Sequence, residues 1–252
     1  MSSLLKCMGA GLAAAVVSAV AVVPASAASV SYPGPIVVEN GFYDSLVETS
    51  ITDTPPLYGP PTVGAGNTLT FDTTANFSAS VTGEGSDITS GALEFTFQAE
   101  PGELILTLSL FETGTYEIVN YGGVSAGGAL TVRYLDELTQ HLVTLADPIH
   151  TVLSPNGIPG APGDAPGGDF PYIGSGTGDW IGAALIDFGE LQVQTSYIIV
   201  ALDNTLIAQA CDCGSATIRK DELTVNITTI PEPASLALMG MGLGMIVGRK
   251  RG

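Results

Sequence analysis

Basic side chains are scarce in this chain of 252 residues. Seven residues are Lys or Arg against 25 Asp or Glu, so the formal net charge at pH 7 is −18. Four of the seven lie near the two ends of the sequence. Neutralising nucleic-acid phosphates requires clustered Lys and Arg, and anionic lipid surfaces attract the same clusters. The composition therefore excludes a nucleic-acid partner and disfavours adhesion to anionic lipid.

The chain is also poor in the residues that carry most metal and nucleophile chemistry. It has two His and three Cys, and neither His141 nor His150 has a zinc-ligand spacing or a nucleophile-elbow context. No Rossmann or P-loop glycine pattern is present. We therefore expect no catalytic site, no metal site and no cofactor. The alternative is a hydrolase that uses an Asp/Glu pair, because so many carboxylates always permit some pair at glycosidase distance.

Residues 1–28 have the three parts of a secretory signal peptide. Lys6 supplies a positive charge, an apolar run covers about residues 8–23, and small residues follow around Ala27 and Ala28. The charge stays in the cytoplasm, the apolar run enters the translocon, and the small residues fit signal peptidase. We predict cleavage by signal peptidase after Ala27 or Ala28, with a retained membrane anchor as the alternative.

Residues 230–252 combine a short motif, an apolar segment and a basic cluster. The motif is Pro231-Glu232-Pro233, the apolar segment is residues 234–248, and the cluster is Arg249-Lys250-Arg251. The segment is short for a bilayer span, which needs about 17 residues or more, but snorkelling basic side chains extend its reach. The basic cluster stays in the cytoplasm by the positive-inside rule, so the rest of the chain lies across the membrane. We predict a short C-terminal transmembrane helix.

This order of tripeptide, apolar segment and basic tail resembles the PEP-CTERM sorting signal of bacterial surface and matrix proteins. The resemblance implies transient anchoring in the inner membrane of a Gram-negative-type bacterium that makes exopolysaccharide. It also implies recognition of Pro231, Glu232 and Pro233 by an exosortase, a membrane-embedded cysteine peptidase. Cleavage near the tripeptide would then release the protein to the cell surface or the extracellular medium. An ordinary C-terminal anchor is the alternative.

Between these ends, residues 29–229 alternate apolar and polar side chains with a period of two. The clearest run sets Leu93, Phe95 and Phe97 against the polar residues between them, and similar runs begin near residues 104, 130 and 223. Successive side chains of a strand point to opposite faces, so each run presents one apolar face. The sequence therefore predicts an all-β fold of about ten strands in a single antiparallel β-sandwich or jelly-roll domain.

Glycine, proline and asparagine divide these strands. We predict turns at Gly83-Glu84-Gly85, Pro101-Gly102, Gly122-Gly123, Gly127-Gly128 and Asp203-Asn204. Two longer segments, 53–66 and 154–179, are rich in proline or glycine and are expected to be loops. Asp164, Asp169 and Asp179 in the second loop are a candidate calcium site, against a plain flexible loop. Trp180 beside Tyr172 is either a core residue or a sugar-stacking platform.

Cys211 and Cys213 are the cysteines that remain after removal of the signal peptide. Export favours disulfides, and residues i and i+2 of a strand share a face. Their extended Cα atoms lie near the upper limit for bridging, although a turn before Gly214 would bring them closer. The sequence leaves open a local disulfide, two free thiols or metal ligation, for which two thiolates are a poor zinc signature.

Residues 86–119 resemble a recurrent body type of PEP-CTERM proteins, in which a Ser-Asp…Gly…Leu-x-Phe strand precedes a strand ending Glu-x-Gly-x-Tyr. No activity comes with that resemblance. An acidic, Thr/Ser/Asn-rich sandwich stays soluble by charge repulsion and presents hydrogen-bonding side chains to a polysaccharide. We therefore expect a non-catalytic surface or matrix protein that associates with exopolysaccharide or a biofilm matrix. The alternative is a secreted carbohydrate-active hydrolase.

Overall fold

The computed structural model describes residues 27–136, 141–154 and 172–232, and all its regular elements there are β-strands. The strands are β1 (Ala28–Ser31), β2 (Ile36–Val38), β3 (Gly41–Ser50), β4 (Thr62–Val63), β5 (Asn67–Asp72), β6 (Ser78–Thr82), β7 (Gly85–Ala99), β8 (Glu103–Leu135), β9 (Leu142–Pro148), β10 (His150–Ser154), β11 (Tyr172–Asp187), β12 (Tyr197–Ala210) and β13 (Ser215–Pro231). Within these ranges the structure has no helix of the length and apolarity that a membrane crossing needs. The transmembrane helix predicted over residues 234–248 lies outside the described residues.

The long strand β8 joins two layers of one antiparallel sheet. Its first part, residues 103–119, pairs with β13, and its second part, residues 122–134, pairs with β12. Between the two parts, Asn120 has a φ of 66°, a left-handed conformation that Asn tolerates better than most residues. Beyond β13 the sheet continues with β5 and β6, and beyond β12 with β7 and β3. The sheet therefore curls over, and its two parts face each other.

The inward faces of the two layers form the hydrophobic core. Phe95 and Phe97 of β7 are almost completely buried, whereas Glu94 between them is exposed. Tyr43 of β3 packs edge-on against both rings, with centroids 5.5 and 5.0 Å away. Its hydroxyl donates a hydrogen bond of 2.5 Å to the Asn67 carbonyl of β5 in the facing layer. The predicted all-β antiparallel fold and its period-two core are confirmed.

Some of the predicted turns are correct and others lie inside strands. Gly83 and Gly102 occupy real turns at the ends of β7 and have φ values of 83° and 89°, which glycine adopts without strain. In contrast, Gly122-Gly123 and Gly127-Gly128 are part of β8, and Asp203-Asn204 is part of β12. Gly128 and Asn204 are register partners, and a Cβ atom on Gly128 would collide with the Asp203 backbone. Gly122 and Gly128 thus permit close packing of strands rather than a change of chain direction.

The two predicted loops also differ from the structure. In residues 53–66, only the two-residue strand β4 forms, as the prolines lead one to expect. Leu57 and Tyr58 of this segment are nonetheless buried in the core. In residues 154–179, the predicted loop is wrong for residues 172–179, because β11 begins at Tyr172 and pairs with β8. Residues 155–171, which include Asp164 and Asp169, lie outside the described part.

Candidate functional site

The sorting tripeptide follows the last strand of the sheet directly. Pro231 is the final residue of β13 and is the register partner of Glu103 in β8. The Glu232 amide then donates a hydrogen bond of 2.8 Å to the Gly102 carbonyl. Pro233 and the cluster Arg249-Lys250-Arg251 lie outside the described residues. The body of the protein and the sorting motif therefore meet without an intervening linker.

The predicted signal-peptide cleavage site lies at an edge of the sheet. Ala27 is exposed, and Ala28 is the exposed first residue of β1, where it is the register partner of Ser50. The residues that precede Ala27 are outside the described part of the chain. Cleavage after Ala27 or Ala28 stays a prediction, and it would leave β1 intact or shorter by one residue.

The local disulfide between Cys211 and Cys213, which the sequence left open, is not formed, because Cys213 is an exposed free thiol. Both residues lie in the tight turn between β12 and β13, where the Gly214 amide donates to the Cys211 carbonyl at 2.6 Å. The Asn120 side chain also donates to the Cys213 carbonyl. The turn expected before Gly214 is therefore present, but it does not bring the two cysteines into a bridge.

The remaining candidate residues do not come together. His141 and His150 are exposed, and Trp180 is completely buried in the core, where its indole nitrogen donates to the Arg219 carbonyl at 3.1 Å. The core interpretation of Trp180 is therefore correct. In the ranges that the structure describes, no three His, Cys, Asp or Glu side chains are grouped as a metal ion requires.

A polar cluster that the sequence analysis did not single out lies between the two layers. It consists of Glu112 of β8, Asn204 of β12 and Lys220 of β13, which are 1%, 2% and 0% exposed. The Glu112 carboxylate oxygen Oε1 accepts hydrogen bonds from Lys220 Nζ at 2.8 Å and from Asn204 Nδ2 at 2.7 Å. Buried charges are costly unless paired and hydrogen-bonded, and this oxygen satisfies both partners.

Aromatic rings enclose the amine of this cluster. Lys220 Nζ lies 4.7 Å from the centre of the Phe77 ring and 5.5 Å from that of Tyr58. Burial lowers the pKa of Lys220, and the neighbouring Glu112 opposes this shift only in part. Burial also raises the pKa of Tyr58 well above its ordinary value, with the charge of Glu112 adding to the effect. The cluster therefore has the apolar surroundings that favour uncharged forms.

The proline-rich segment closes this part of the core. Glu48 of β3 is fully buried and accepts hydrogen bonds from the Tyr32 hydroxyl, at 2.8 Å, and from the Leu57 amide. Partial burial, followed by the contact with Glu48, raises the pKa of Tyr32. These bonds hold the segment so that Tyr58 covers the amine of Lys220. The buried carboxylate of Glu48 thus positions the segment whose Tyr58 ring covers Lys220, the partner of Glu112.

The sequence does contain a signal for the cluster. Each member occupies an inward position of an alternating strand: Glu112 follows Leu108 and Leu110, Asn204 lies between Leu202 and Leu206, and Lys220 follows Ala216 and Ile218. A polar residue at a strand position where the alternation calls for an apolar side chain indicates either the end of the strand or a buried polar group. Sequence reasoning took the first option for Asn204, ended one run before Glu112 and began another after Lys220.

On the outer surface, an open groove of about 510 Å³ lies beside β5 and β13. Its lining includes three acidic side chains, Asp72, Asp221 and Glu222, together with four threonines. Hydrogen bonds from Thr74 hold the pKa of the exposed Asp72 below its usual value. None of the residues that line this groove is aromatic. The groove offers hydrogen-bonding groups and negative charge, without a ring on which a sugar would stack.

Comparison with known families identifies the C-terminal region. Residues 229–251 match the PEP-CTERM protein-sorting motif. The chain therefore carries a PEP-CTERM sorting motif, which implies export and a C-terminal membrane-anchoring sorting signal. The motif implies an exosortase as the processing partner. No curated protein matches the chain in sequence.

Solved structures resemble the chain only distantly. The enzymatically active domain of tailspike protein 4 of bacteriophage CBA120 has 10% identity and a TM-score of 0.19, with 78% of this chain and 19% of that chain covered. The structure of TmCBM61 in complex with β-1,4-galactotriose has 10% identity and a TM-score of 0.19, with 73% of this chain and 82% of that chain covered. A chain in the structure of the infectious bursal disease virus Gx strain has 12% identity and a TM-score of 0.19, with 82% of this chain and 60% of that chain covered. The chain thus spans about a fifth of the tailspike domain.

Proposed function

We propose that this exported protein is a non-catalytic component of the cell surface or extracellular matrix that associates with exopolysaccharide. The observation that carries the proposal is the sorting motif at residues 229–251, which continues directly from β13. A protein released by cleavage near Pro231 leaves its membrane segment behind and keeps the all-β body. Signal peptidase would act first, after Ala27 or Ala28. The released body then works outside the cell, where polysaccharide is the abundant partner.

The acidic surface supports one particular mode of association. Asp72, Asp221 and Glu222 line the outer groove together with several threonines. A neutral polysaccharide would accept and donate hydrogen bonds there directly. A polyanionic polysaccharide is repelled by the net charge of −18, so a divalent cation must bridge carboxylates of the two partners. Calcium dependence therefore distinguishes the two kinds of polysaccharide.

A glycan array probed with the purified protein, with and without Ca²⁺, tests this proposal beside a general glycosidase screen. We expect glycan binding without turnover. The double variant Asp221→Asn/Glu222→Gln should weaken binding at least several-fold, because it removes two groove carboxylates. Glu94→Gln is the matched control, since this exposed residue lies on β7 in the facing layer. Turnover that a single Asp or Glu substitution abolishes would establish the alternative, a secreted carbohydrate-active hydrolase.

A further inference from the structure

The buried cluster of Glu112, Asn204 and Lys220 has the composition of a self-crosslinking site. We propose that Lys220 Nζ forms a covalent amide bond with Asn204 Cγ, assisted by Glu112, so that an intramolecular isopeptide bond joins the two layers of the sandwich. The reaction requires an amine, a primary amide and a proton-transferring carboxyl group in one water-free place. All three side chains are at most 2% exposed.

The contacts place the reacting groups beside each other. Lys220 Nζ and Asn204 Nδ2 both donate to the same oxygen, Glu112 Oε1, at 2.8 and 2.7 Å. The amine and the amide are thus separated by no more than two hydrogen bonds that share one atom. Strand register fixes this arrangement, because the backbone positions of all three residues are held in ladders with neighbouring strands. Such fixed proximity replaces an encounter in solution and lowers the barrier to attack.

The surroundings favour the reactive, uncharged form of the amine. Phe77 and Tyr58 cover Lys220 Nζ, and burial lowers the pKa of this lysine. In an apolar site, transfer of the ammonium proton to Glu112 converts an ion pair into a neutral amine and a neutral carboxylic acid. The neutral amine has the free electron pair that a nucleophile needs. The carboxylic acid is then a proton donor toward the amide.

The reaction balances without any further reactant. Lys220 Nζ attacks Asn204 Cγ and forms a C–N bond, while Glu112 donates its proton to Oδ1 of the amide, which a rotation of the side chain brings to face it. Glu112 next takes a proton from the attacking nitrogen and delivers it to Nδ2. The bond between Cγ and Nδ2 breaks, ammonia leaves, and the hydroxyl proton returns to Glu112. The products are a secondary amide and ammonia, and Glu112 is regenerated.

The bond would join two strands, β12 and β13, that are not hydrogen-bonded neighbours in the sheet. Lys220 lies in β13, which pairs with the first part of β8, whereas Asn204 lies in β12, which pairs with the second part. A covalent bond between them pins the curled sheet across its core. A protein that is released outside the cell has no chaperones or resynthesis there, so permanent closure suits that setting.

Peptide mapping of the full-length folded chain under denaturing conditions tests the bond. Trypsin cuts after Arg219 but does not cut after a lysine whose amine is acylated. The fragment that begins at Tyr134 and contains Asn204 should therefore stay joined to the fragment that begins at Lys220. The joined pair should weigh less than its two parts by the mass of one ammonia molecule. Separate fragments with unmodified masses from folded protein would overturn the proposal.

Variants identify the role of each side chain. Glu112→Gln keeps the shape of the side chain but does not transfer the proton, so its fragments should be separate, as should those of Lys220→Met. Asn226→Ala is the control, because Asn226 lies in β13 outside the cluster and should leave the joined pair unchanged. Loss of one water molecule instead of ammonia would join Lys220 to Glu112 and contradict the proposal. The wild-type map decides the matter even if a variant fails to fold.

Discussion

At the scale of single residues, the core depends on large aromatic side chains as well as on its buried charges. Phe95 is 2% exposed and packs against Tyr43, and its position was expected from the alternation in β7. The cluster around Glu112 was not expected, although it obeys the same alternation. A buried apolar ring needs no specific partner, whereas a buried carboxylate is stable only if a side chain from another strand pairs with it. Such a partner is not visible in a local sequence pattern.

Replacement of Phe95 by Ala should destabilise the fold strongly. Truncation of a buried Phe costs about 3–5 kcal/mol, because it removes apolar contacts and leaves a cavity. Urea unfolding followed by tryptophan fluorescence measures this loss, since Trp180 is buried in the same core. Phe111→Ala is the control, because Phe111 is 37% exposed and should cost much less. Equal losses for the two variants would contradict the assignment of the core face.

At the scale of elements, the irregularity in β13 decides which side chains face the core. The ladder with β8 passes from Lys220 to Glu222 without a partner for Asp221, which is a β-bulge. The bulge lets Lys220 and Leu223, three residues apart, both point inward. Without it, strict alternation from Lys220 would turn Leu223, Val225 and Ile227 to solvent. The unpaired residue Asp221 therefore lets the apolar side chains before and after it in β13 all face the core.

Two single-residue deletions in β13 should have opposite outcomes. Deletion of Asp221 removes the bulge and restores plain alternation, with Lys220 and Leu223 still inward. It loses the bond from the Thr73 amide to the Asp221 carbonyl, which is worth about 1 kcal/mol. Deletion of Thr224 instead turns Val225 and Ile227 outward, at about 1.5–3 kcal/mol for each side chain.

Thermal unfolding followed by circular dichroism compares these two deletions. The chain without Asp221 should melt a few degrees below the wild type, and the chain without Thr224 should show no cooperative transition. Similar melting temperatures for both chains would mean that β13 slips in register. The bulge would then not determine which side chains of β13 face the core.

At the scale of the whole molecule, the described residues form one sheet with one core between the predicted signal peptide and the sorting motif. The strand β13 ends at Pro231, inside the sorting motif, and β1 begins at Ala28, at the predicted signal-peptide cleavage site. The domain division into residues 1–28, 29–229 and 230–252 remains a prediction, but the strand ends lie within two residues of both boundaries. The folded body thus begins and ends where the two peptidases are expected to cut.

The exported protein should therefore have lost both ends. Its intact mass should correspond to a chain that starts near Ser29 and stops near Pro231, because signal peptidase and the exosortase each remove a membrane segment. Deletion of Arg249–Arg251 should reduce anchoring and processing, since those charges hold the tail in the cytoplasm. Glu222→Gln, a change in the body, should leave processing unchanged. An extracellular mass that includes residues 234–252 would contradict exosortase cleavage.

The sequence by itself determined the fold class and the sorting motif. Period-two alternation follows from the geometry of a strand, and the sorting motif is a contiguous signal, so both are readable without tertiary contacts. The tertiary structure alone decided that Asp203-Asn204 continues a strand, that Cys211 and Cys213 are not bridged, and that Glu112, Asn204 and Lys220 meet. These three residues come from three strands, and their meeting depends on the curl of β8 at Asn120. Such long-range register is a property of the whole sheet, and no local run of residues encodes it.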